Sequence, residues 1–172
     1  MKKKTFSRQE LFKFQIFAGL STEQLQKIEK IINEKKYEAG EEIIRESEKG
    51  EDFFLLFAGK VEVSKSLTLL VGRGDVDTRD KSLIRLQAED APYFGEMSIL
   101  HEDSQRSATV RTIEECVVGS IKRSDLLDLC ESDHELGYLL MKNIAEMLAV
   151  RLEKANQDIM KLTTAFSLAL QS

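Results

Sequence analysis

Apolar residues recur with a period of two between Glu38 and about Lys122, and this pattern restricts the fold more than any other feature of the chain. Its segments alternate or run apolar over short stretches: EEIIRES, DFFLLFAGKVEVSK, SLIRLQ, SATVRT and CVVGSIKR. Glycines separate or end these runs, where turns need a positive φ or a close backbone approach: Gly40, Gly50, Gly59 and Gly95. Several short strands with regular turn signals predict an antiparallel sandwich or jelly roll. The polar stretch from Val71 to Lys81 is predicted to be a long hairpin loop.

The residues before this region follow a helical period, from Ser7 to about Tyr37. One apolar stripe consists of Leu11, Phe14, Phe17 and Leu20. Ser21, followed three residues later by Gln24, has the pattern of a capping box and predicts the start of a second helix. We therefore expect short amphipathic helices that pack on the strand region.

The last third of the chain is helical again. Ser124 is predicted to cap a short helix that runs through Cys130, and Ser132 with Glu135 to open a long helix from about Asp133 to Ala169. The apolar positions of the long helix alternate spacings of four and three: Met141, Ala145, Leu148, Leu152, Ala155, Ile159, Leu162, Phe166 and Ala169. Such a helix is roughly 55 Å long, so its seam predicts a parallel homodimer through residues 141–169. In the alternative, the helix folds along its own strand domain, which only its first turns can do.

Charge and composition argue against several classes of function. The net charge is −5 and the only basic run is Lys2-Lys3-Lys4, so a nucleic-acid-binding face is not expected. No window approaches the ~18 uninterrupted apolar residues of a membrane span. Arg8, Glu10 and Lys13 interrupt the region where a signal peptide would be apolar. The two cysteines have no metal or redox spacing, which indicates a reduced, cytoplasmic protein.

Catalytic and metal-binding signatures are not found either. Of the two histidines, His101 is expected to face solvent in a loop, and His134 to lie in the first turn of the long helix. The chain contains no His-x-His pair and no local Ser/His/Asp pattern. We therefore expect neither a metal ion nor enzyme activity.

The stretch YFGEMSILHEDSQRSATV carries the most specific chemistry. At Gly95 a ligand can approach the backbone, and the free N–H groups of a short helix that begins there would favour an anion. Glu96 can accept hydrogen bonds from a ribose hydroxyl, and Arg106, eleven residues after Gly95, can pair with a phosphate. Ser107 adds a hydroxyl, and a backbone N–H of Ser107 or Ala108 would complete the cradle. A site with hydrogen-bond donors on one side and a carboxylate on the other fits a sugar phosphate better than a free anion.

The order of these residues resembles the phosphate-binding cassette of cyclic nucleotide-binding domains, the family of the bacterial cAMP receptor protein and of kinase regulatory subunits. The matching motifs are FGEMSIL and, after a short loop, RSATV. Further stretches resemble the family's flanking elements: IFAGLSTEQL, YEAGEEII, KGEDFFLLFAGKVEV and TVRTIEECVVGSIKRSDL. The resemblance implies an α+β fold, in which helices flank an eight-stranded β-roll and the long C-terminal helix serves as lid and dimer contact.

The resemblance also implies the roles of the ligand-binding residues. Glu96 would hold the ribose 2′-hydroxyl, and Arg106 the cyclic phosphate, of cAMP or, as the less expected ligand, cGMP. The predicted set is Phe94, Gly95, Glu96, Met97, Ser98, Arg106, Ser107, Ala108, Arg151 and Asn156. The lid departs from the family, because Ala155-Asn156 stands where the receptor protein has Thr-Ser. Asn156 could bond a purine edge, or Arg151 could stack on or bond the base, so the choice of adenine or guanine stays open.

The predicted organisation is a flexible tail (1–6), a β-roll with short flanking helices (7–132) and a coiled-coil lid or dimer helix (133–172). Two functions fit it. The first is a cytosolic cyclic-nucleotide sensor that signals through its C-terminal helix to a partner protein or output module. The second is a dimeric interaction module that has lost its response to nucleotide. The sequence ends at Ser172 without room for a helix-turn-helix, so direct DNA binding is not expected.

Overall fold

The computed structural model describes residues 4–71, 75–100 and 105–170, and only the backbone of residues 67–71 and 75–80. The helices are α1 (Arg8–Leu11), α2 (Thr22–Ile31), α3 (Met97–Leu100), α4 (Arg123–Ser132) and α5 (His134–Ala169), with 3-10 turns at Gln15–Phe17 and Ala88–Asp90. The strands are β1 (Asn33–Tyr37), β2 (Glu42–Ile44), β3 (Asp52–Ala58), β4 (Lys60–Val71), β5 (Asp75–Gln87), β6 (Tyr93–Phe94), β7 (Thr109–Thr112) and β8 (Cys116–Lys122).

The eight strands form two antiparallel sheets of four. The first sheet has the order β1-β8-β3-β6, and the second has the order β2-β7-β4-β5. The short helices precede this roll or interrupt it, and α4 and α5 follow it. The predicted α+β class, with an antiparallel β-roll between N-terminal helices and a long C-terminal helix, is confirmed.

Two apolar clusters hold the layers together, one on each face of the first sheet. Successive side chains of a strand point to opposite faces. In β3, Phe54 and Leu56 therefore belong to the cluster inside the roll. Phe53 and Leu55 belong to the cluster shared with the helices. Burial on both faces explains why the sequence of β3 is a continuous apolar run rather than an alternation.

The first turns of α5 are anchored in the helical layer. Leu136, Leu140 and Ile144 are fully buried against the sheet and the N-terminal helices. Asn143 is buried too, and its amide donates hydrogen bonds to the carbonyl oxygens of Ile16 and Ala18 at 3.0 and 2.8 Å. From residue 149 to residue 170 every residue of the chain is exposed. The first part of α5 is thus folded against its own domain, and the rest extends away from it.

The helix boundaries agree only in part with the sequence analysis. The capping box of Ser21 is confirmed, since Ser21 and Gln24 exchange hydrogen bonds at 3.2 and 2.9 Å. The prediction that Ser132 caps the long helix is wrong. The carboxylate of Asp133 accepts from the amide of Leu136 at 3.1 Å, and Ser132 ends α4, where its hydroxyl donates to Leu129. A carboxylate suits the positive end of a helix better than a hydroxyl does.

Two further predictions about α4 and α5 are tested by these bounds. Ser124 does not cap α4, because the N-cap position is Lys122, which makes no side-chain capping bond. His134 lies in the first turn of α5, as predicted. Both cysteines, Cys116 and Cys130, are free thiols, and the first is buried.

Two strands lie where the sequence predicted other structures. Asn33–Tyr37, expected to continue the helical region, is edge strand β1, paired with β8. The predicted hairpin loop from Val71 to Lys81 is also mostly strand, because Val71 pairs with Asp75 and the ladder continues to Lys65 and Lys81. Residues 72–74 lie outside the described part. A ladder is held by backbone hydrogen bonds, which require no apolar alternation, so both segments can form strands although their side chains are mostly polar.

The packed part of the chain begins before Ser7. Phe6, which the sequence analysis assigned to the tail, is buried, and its ring stacks on that of Phe57 with centroids 4.1 Å apart. Within the described ranges, no helix is both long and apolar enough to cross a membrane.

Gly59 is predicted to be essential for the fold because of its surroundings rather than its backbone angle alone. Gly59 and Gly40 have almost the same φ, 87° and 88°. A Cβ at Gly59 would lie 2.4 Å from the carbonyl oxygen of Glu115, whereas one at Gly40 would meet nothing within 4 Å. Gly40→Ala should therefore cost only the left-handed backbone term of about 1–2 kcal/mol. Gly59→Ala should cost about 1–3 kcal/mol more.

The measurement is urea unfolding of both variants, followed by circular dichroism at one protein concentration. Equal losses of unfolding free energy in the two variants would contradict the prediction.

Candidate functional site

A cavity of about 370 Å³ opens between the second sheet, the turn before α3 and the side of α5. Its apolar wall comes from Ile44, Val63, Ile84, Leu86 and Val110 on the strands. The rest of its lining is Tyr93, Phe94, Gly95, Glu96, Met97, Ser98, Gln105, Arg106, Ser107, Ala108 and Arg151. Nine of the ten predicted ligand-binding residues are in this lining, so the fold brings together groups that are separated by up to 57 positions (94 to 151) in the sequence.

The turn at Gly95 positions the polar end of the cavity. Gly95 has a φ of 80°, and a Cβ there would lie 2.9 Å from Nη1 of Arg106 and 3.1 Å from the carbonyl oxygen of Asp52. Only glycine fits both the angle and the space. The hydroxyl of Ser98 donates to the carbonyl oxygen of Gly95 at 2.7 Å, which closes the turn into α3. The amides of Ser98 and Ile99 donate within the same turn, so these two are already engaged.

Arg106 is held on the wall by backbone carbonyl groups. Its Nη2 donates to the carbonyl oxygen of Asp52 at 2.7 Å and its Nη1 to that of Gly95 at 3.5 Å. The guanidinium carbon lies 5.6 Å from the centroid of the Phe54 ring. Burial lowers the pKa of Arg106, and the negative charge of Asp52 opposes this effect. An arginine stays protonated under such conditions, so the cavity wall carries a fixed, desolvated cation.

Glu96 supplies the negative charge of the cavity and is 4% exposed. Its Oε1 accepts a hydrogen bond from Nη1 of Arg151, which projects from α5. The side chain of Arg151 is half-exposed. This ion pair joins the turn before α3 to the long helix. Among the described residues of the lining, Arg106 and Arg151 are cations and Glu96 is an anion, so these residues sum to one formal positive charge.

Asn156 is the one predicted ligand-binding residue that the structure does not bring to the cavity. It lies on the exposed part of α5 and lines a shallow depression with Leu152 and Met160. His101 lies outside the described residues. The sequence analysis missed Tyr93, Gln105 and the apolar strand residues of the lining. The period-two pattern indicates which strand residues share a face, but not which faces meet across two sheets.

In the part of the chain that the structure describes, no group of three or more metal-ligating side chains comes together. The polar groups of the cavity are two guanidinium groups, one carboxylate and short hydroxyl or amide side chains. Such a set favours an organic anion with hydroxyl groups as ligand.

The comparison with protein families identifies the class of this domain. The model described as "Cyclic nucleotide-binding domain" matches residues 34–133, more than half of the chain. The matched range contains the strands, the turn at Gly95 and Arg106, and therefore all of the cavity except Arg151. The chain belongs to the cyclic nucleotide-binding domain family.

Among curated proteins, the chain is similar to kinases and kinase subunits that respond to cyclic nucleotides. It is 33% identical over 141 residues to cGMP-dependent protein kinase, isozyme 1, of Drosophila melanogaster, which covers 76% of this chain and 17% of the kinase. It is 28% identical over 126 residues to the cAMP-dependent protein kinase regulatory subunit of Debaryomyces hansenii, which covers 70% of this chain and 25% of the subunit. The chain thus spans a quarter or less of the length of these two relatives.

Solved structures share the fold. The Catabolite Activator Protein of Thermus thermophilus superposes with a TM-score of 0.72 at 26% identity, over 87% of this chain and 63% of the other. The regulatory domain of Toxoplasma gondii PKA, crystallised with cAMP, superposes with a TM-score of 0.63 at 24% identity, over 81% and 48%. The similarity to the Toxoplasma gondii domain is one of fold alone.

Gly50 is predicted to leave room for Arg106. A Cβ at position 50 would lie 2.6 Å from both Nε and Nη2 of Arg106. Gly50→Ala should therefore displace the guanidinium from Asp52 and cost about 1–3 kcal/mol of unfolding free energy. In an Arg106→Ala background the space is vacant, so the same substitution should cost less than about 0.5 kcal/mol.

The four proteins of this double-mutant cycle are compared by urea unfolding. An equal cost of Gly50→Ala in both backgrounds would show that contact with Arg106 is not the reason for this glycine.

Proposed function

We propose that this domain is a non-catalytic sensor of a cyclic nucleotide, cAMP in the first place and cGMP as the alternative. The observation that carries the proposal is the presence of Arg106 and Glu96 in one cavity whose remaining wall is largely apolar. The cyclic phosphate would pair with Arg106, a ribose hydroxyl would donate to Glu96, and the base would lie against the strand residues. The volume of about 370 Å³ is within the usual range for small-molecule sites, about 300–1,000 Å³.

The electrostatics of the cavity support a singly charged anion as ligand. The single negative charge of a cyclic phosphate diester would balance the one formal positive charge of the described lining residues. An ion pair at 4 Å with an effective dielectric constant of 20 contributes about 4 kcal/mol before desolvation. Arg106 is partly buried, and burial lowers its pKa, so part of its desolvation has occurred before a ligand binds.

The groups that could recognise the base are Arg151 and Asn156. Curated relatives include both cAMP- and cGMP-dependent kinases, so similarity does not choose between the two nucleotides. Arg151 is engaged by Glu96, and it could meet the base only by leaving that carboxylate. Asn156 could reach a base only after α5 moves, or from a second copy of the chain.

The proposed output is a change in the position or partner of α5. Arg151 connects the cavity to this helix, and the helix beyond residue 148 is exposed. A ligand whose hydroxyl donates a hydrogen bond to Glu96 competes with Arg151 for that carboxylate and weakens the ion pair. It therefore shifts the populations of helix positions by its differential affinity for them.

Arg106 is predicted to decide affinity. In calorimetric titrations with cAMP and with cGMP, Arg106→Ala should lose 2–5 kcal/mol, roughly thirtyfold to several thousandfold in affinity. Arg106→Lys should lose less, because it keeps the charge but not the forked donors. Arg45→Ala is the matched control, since Arg45 is an exposed arginine that pairs with Glu42 at 2.7 Å.

If the unmodified protein gives no heat and no thermal shift at millimolar ligand, the sensor proposal fails. Binding that is unaffected by Arg106→Ala would place the ligand elsewhere. Asn156→Ala, titrated with both nucleotides, tests whether this residue contributes to the choice of base.

We also propose that α5 forms a parallel homodimer through the predicted seam of residues 141–169, mainly through its exposed part, because Met141 and Leu148 pack partly against their own domain. The seam residues Leu152, Ile159, Leu162 and Phe166 are each between 59% and 71% exposed in the single chain. These side chains recur at the spacing of a coiled coil, and apolar burial at about 25 cal/mol per Å² would favour their pairing.

Ile159→Asp is predicted to shift a dimer to monomer in analytical ultracentrifugation. The substitution would bury a carboxylate at the seam, which costs several kcal/mol for each copy. Gln157→Asp makes the same new side chain two residues away from the seam position, and should leave the dimer intact. A monomeric unmodified protein, or equal effects of the two variants, would contradict the proposed interface.

A second function is supported by the same helix. If nucleotide does not bind, the exposed apolar seam still supports a dimeric interaction module, and the ion pair of Arg151 with Glu96 would then be a permanent contact. The titration and the sedimentation experiment distinguish these two functions.

A further inference from the structure

The hydroxyl of Tyr93 is buried and unpaired. Tyr93 lies in β6 and is 6% exposed. Its hydroxyl is the one buried side-chain oxygen or nitrogen without a hydrogen-bond partner in the described ranges of the chain. A buried polar group in this state destabilises the folded protein. Phenylalanine would fill the same space without that cost, so the hydroxyl has no evident benefit for this conformation.

Among the described residues, charged groups that could bond to the Tyr93 hydroxyl line the same cavity. Its ring packs edge-on against Phe53, with centroids 5.8 Å apart, and the residue lines the cavity together with Glu96 and Arg151. Burial raises the pKa of Tyr93, the charge of Arg151 lowers it and that of Glu96 raises it. Tyr93 therefore shares the cavity lining, and an electrostatic interaction, with both residues of the ion pair that connects the cavity to α5.

Glu96 can change its partner, whereas Tyr93 is fixed by packing. The carboxylate has about four acceptor positions, and a guanidinium is a stronger donor to it than a neutral hydroxyl. Arg151 is half-exposed and has a long side chain, so it can leave the carboxylate. A nearly buried Glu96 without any donor would be strongly destabilised.

We propose that Tyr93 is a positioning residue, whose hydroxyl donates a hydrogen bond to Glu96 when Arg151 leaves that carboxylate, in addition to the bond from the hydroxyl of a bound ligand. A bound phosphate would attract the guanidinium of Arg151 and compete with Glu96 for it. This trigger rests on the proposed function. The exchange keeps Glu96 oriented toward the ligand after its bond to α5 is broken. It thereby couples release of the helix to occupation of the cavity, without a buried unpaired carboxylate.

The partner exchange is tested first without ligand, by urea unfolding of four proteins: unmodified, Tyr93→Phe, Arg151→Ala and the double variant. In the unmodified background the hydroxyl is unpaired, so Tyr93→Phe should leave the unfolding equilibrium constant unchanged or lower it. In the Arg151→Ala background the hydroxyl is bonded to Glu96, so Tyr93→Phe should raise that constant about fivefold to tenfold. Tyr138→Phe removes an exposed hydroxyl and should have no effect in either background.

The second arm measures cAMP affinity by calorimetry. Tyr93→Phe should weaken binding about fivefold to tenfold, because the unmodified protein gains the Tyr93–Glu96 bond on binding. In the Arg151→Ala background that bond is present before and after binding, so Tyr93→Phe should leave affinity unchanged.

A Tyr93→Phe effect on stability that has the same sign and size in both backgrounds would overturn the proposal. Equal destabilisation would mean a fixed partner for the hydroxyl, and equal stabilisation would mean that it has none. If the unmodified protein binds no cyclic nucleotide, the proposed function fails, and the stability cycle alone then decides whether Tyr93 replaces Arg151 at Glu96.

Discussion

The contact of the Arg106 guanidinium with the carbonyl groups of Asp52 and Gly95 is the interaction on which the site depends. It joins the start of β3, the turn before α3 and the loop before β7, three segments that are distant in the sequence. The contact requires two glycines, because a Cβ at Gly50 or at Gly95 would lie within 2.9 Å of the guanidinium. A cation held by carbonyl groups and an aromatic ring is fixed in place but not neutralised, so it remains available to an anion.

The pair of Glu96 and Arg151 adds a second constraint, which links this fixed site to a helix that is only partly fixed. The start of α5 is held by Leu136, Leu140 and the amide of Asn143. Arg151, eight residues after Asn143, connects α5 to the cavity through its ion pair with Glu96. The helix beyond Arg151 is exposed. A helix that is buried at one end and held by one ion pair in the middle can respond to changes in that pair. Surface ion pairs are weak, but this one includes a carboxylate that is almost fully buried.

Membership of the cyclic nucleotide-binding domain family is consistent with both constraints. The matched residues 34–133 end one residue before α5 begins. The family match thus covers the roll, its turn and α4, whereas α5 lies outside it, as do the N-terminal helices α1 and α2. The exposed seam residues and Asn156 lie in α5.

The sequence by itself determined the roll, the glycine turns, the cassette and the heptad seam, because each depends on local periodicity or on motif order. It could not place β1 or the outer part of the β4–β5 ladder, since polar strands are held by backbone bonds that leave no apolar pattern. It also placed the helix cap one residue early, at Ser132 instead of Asp133. Only the tertiary structure decided that Arg151 pairs with Glu96 and that the Tyr93 hydroxyl is unpaired. Both depend on contacts between segments that are distant in the sequence, and local patterns do not determine such contacts.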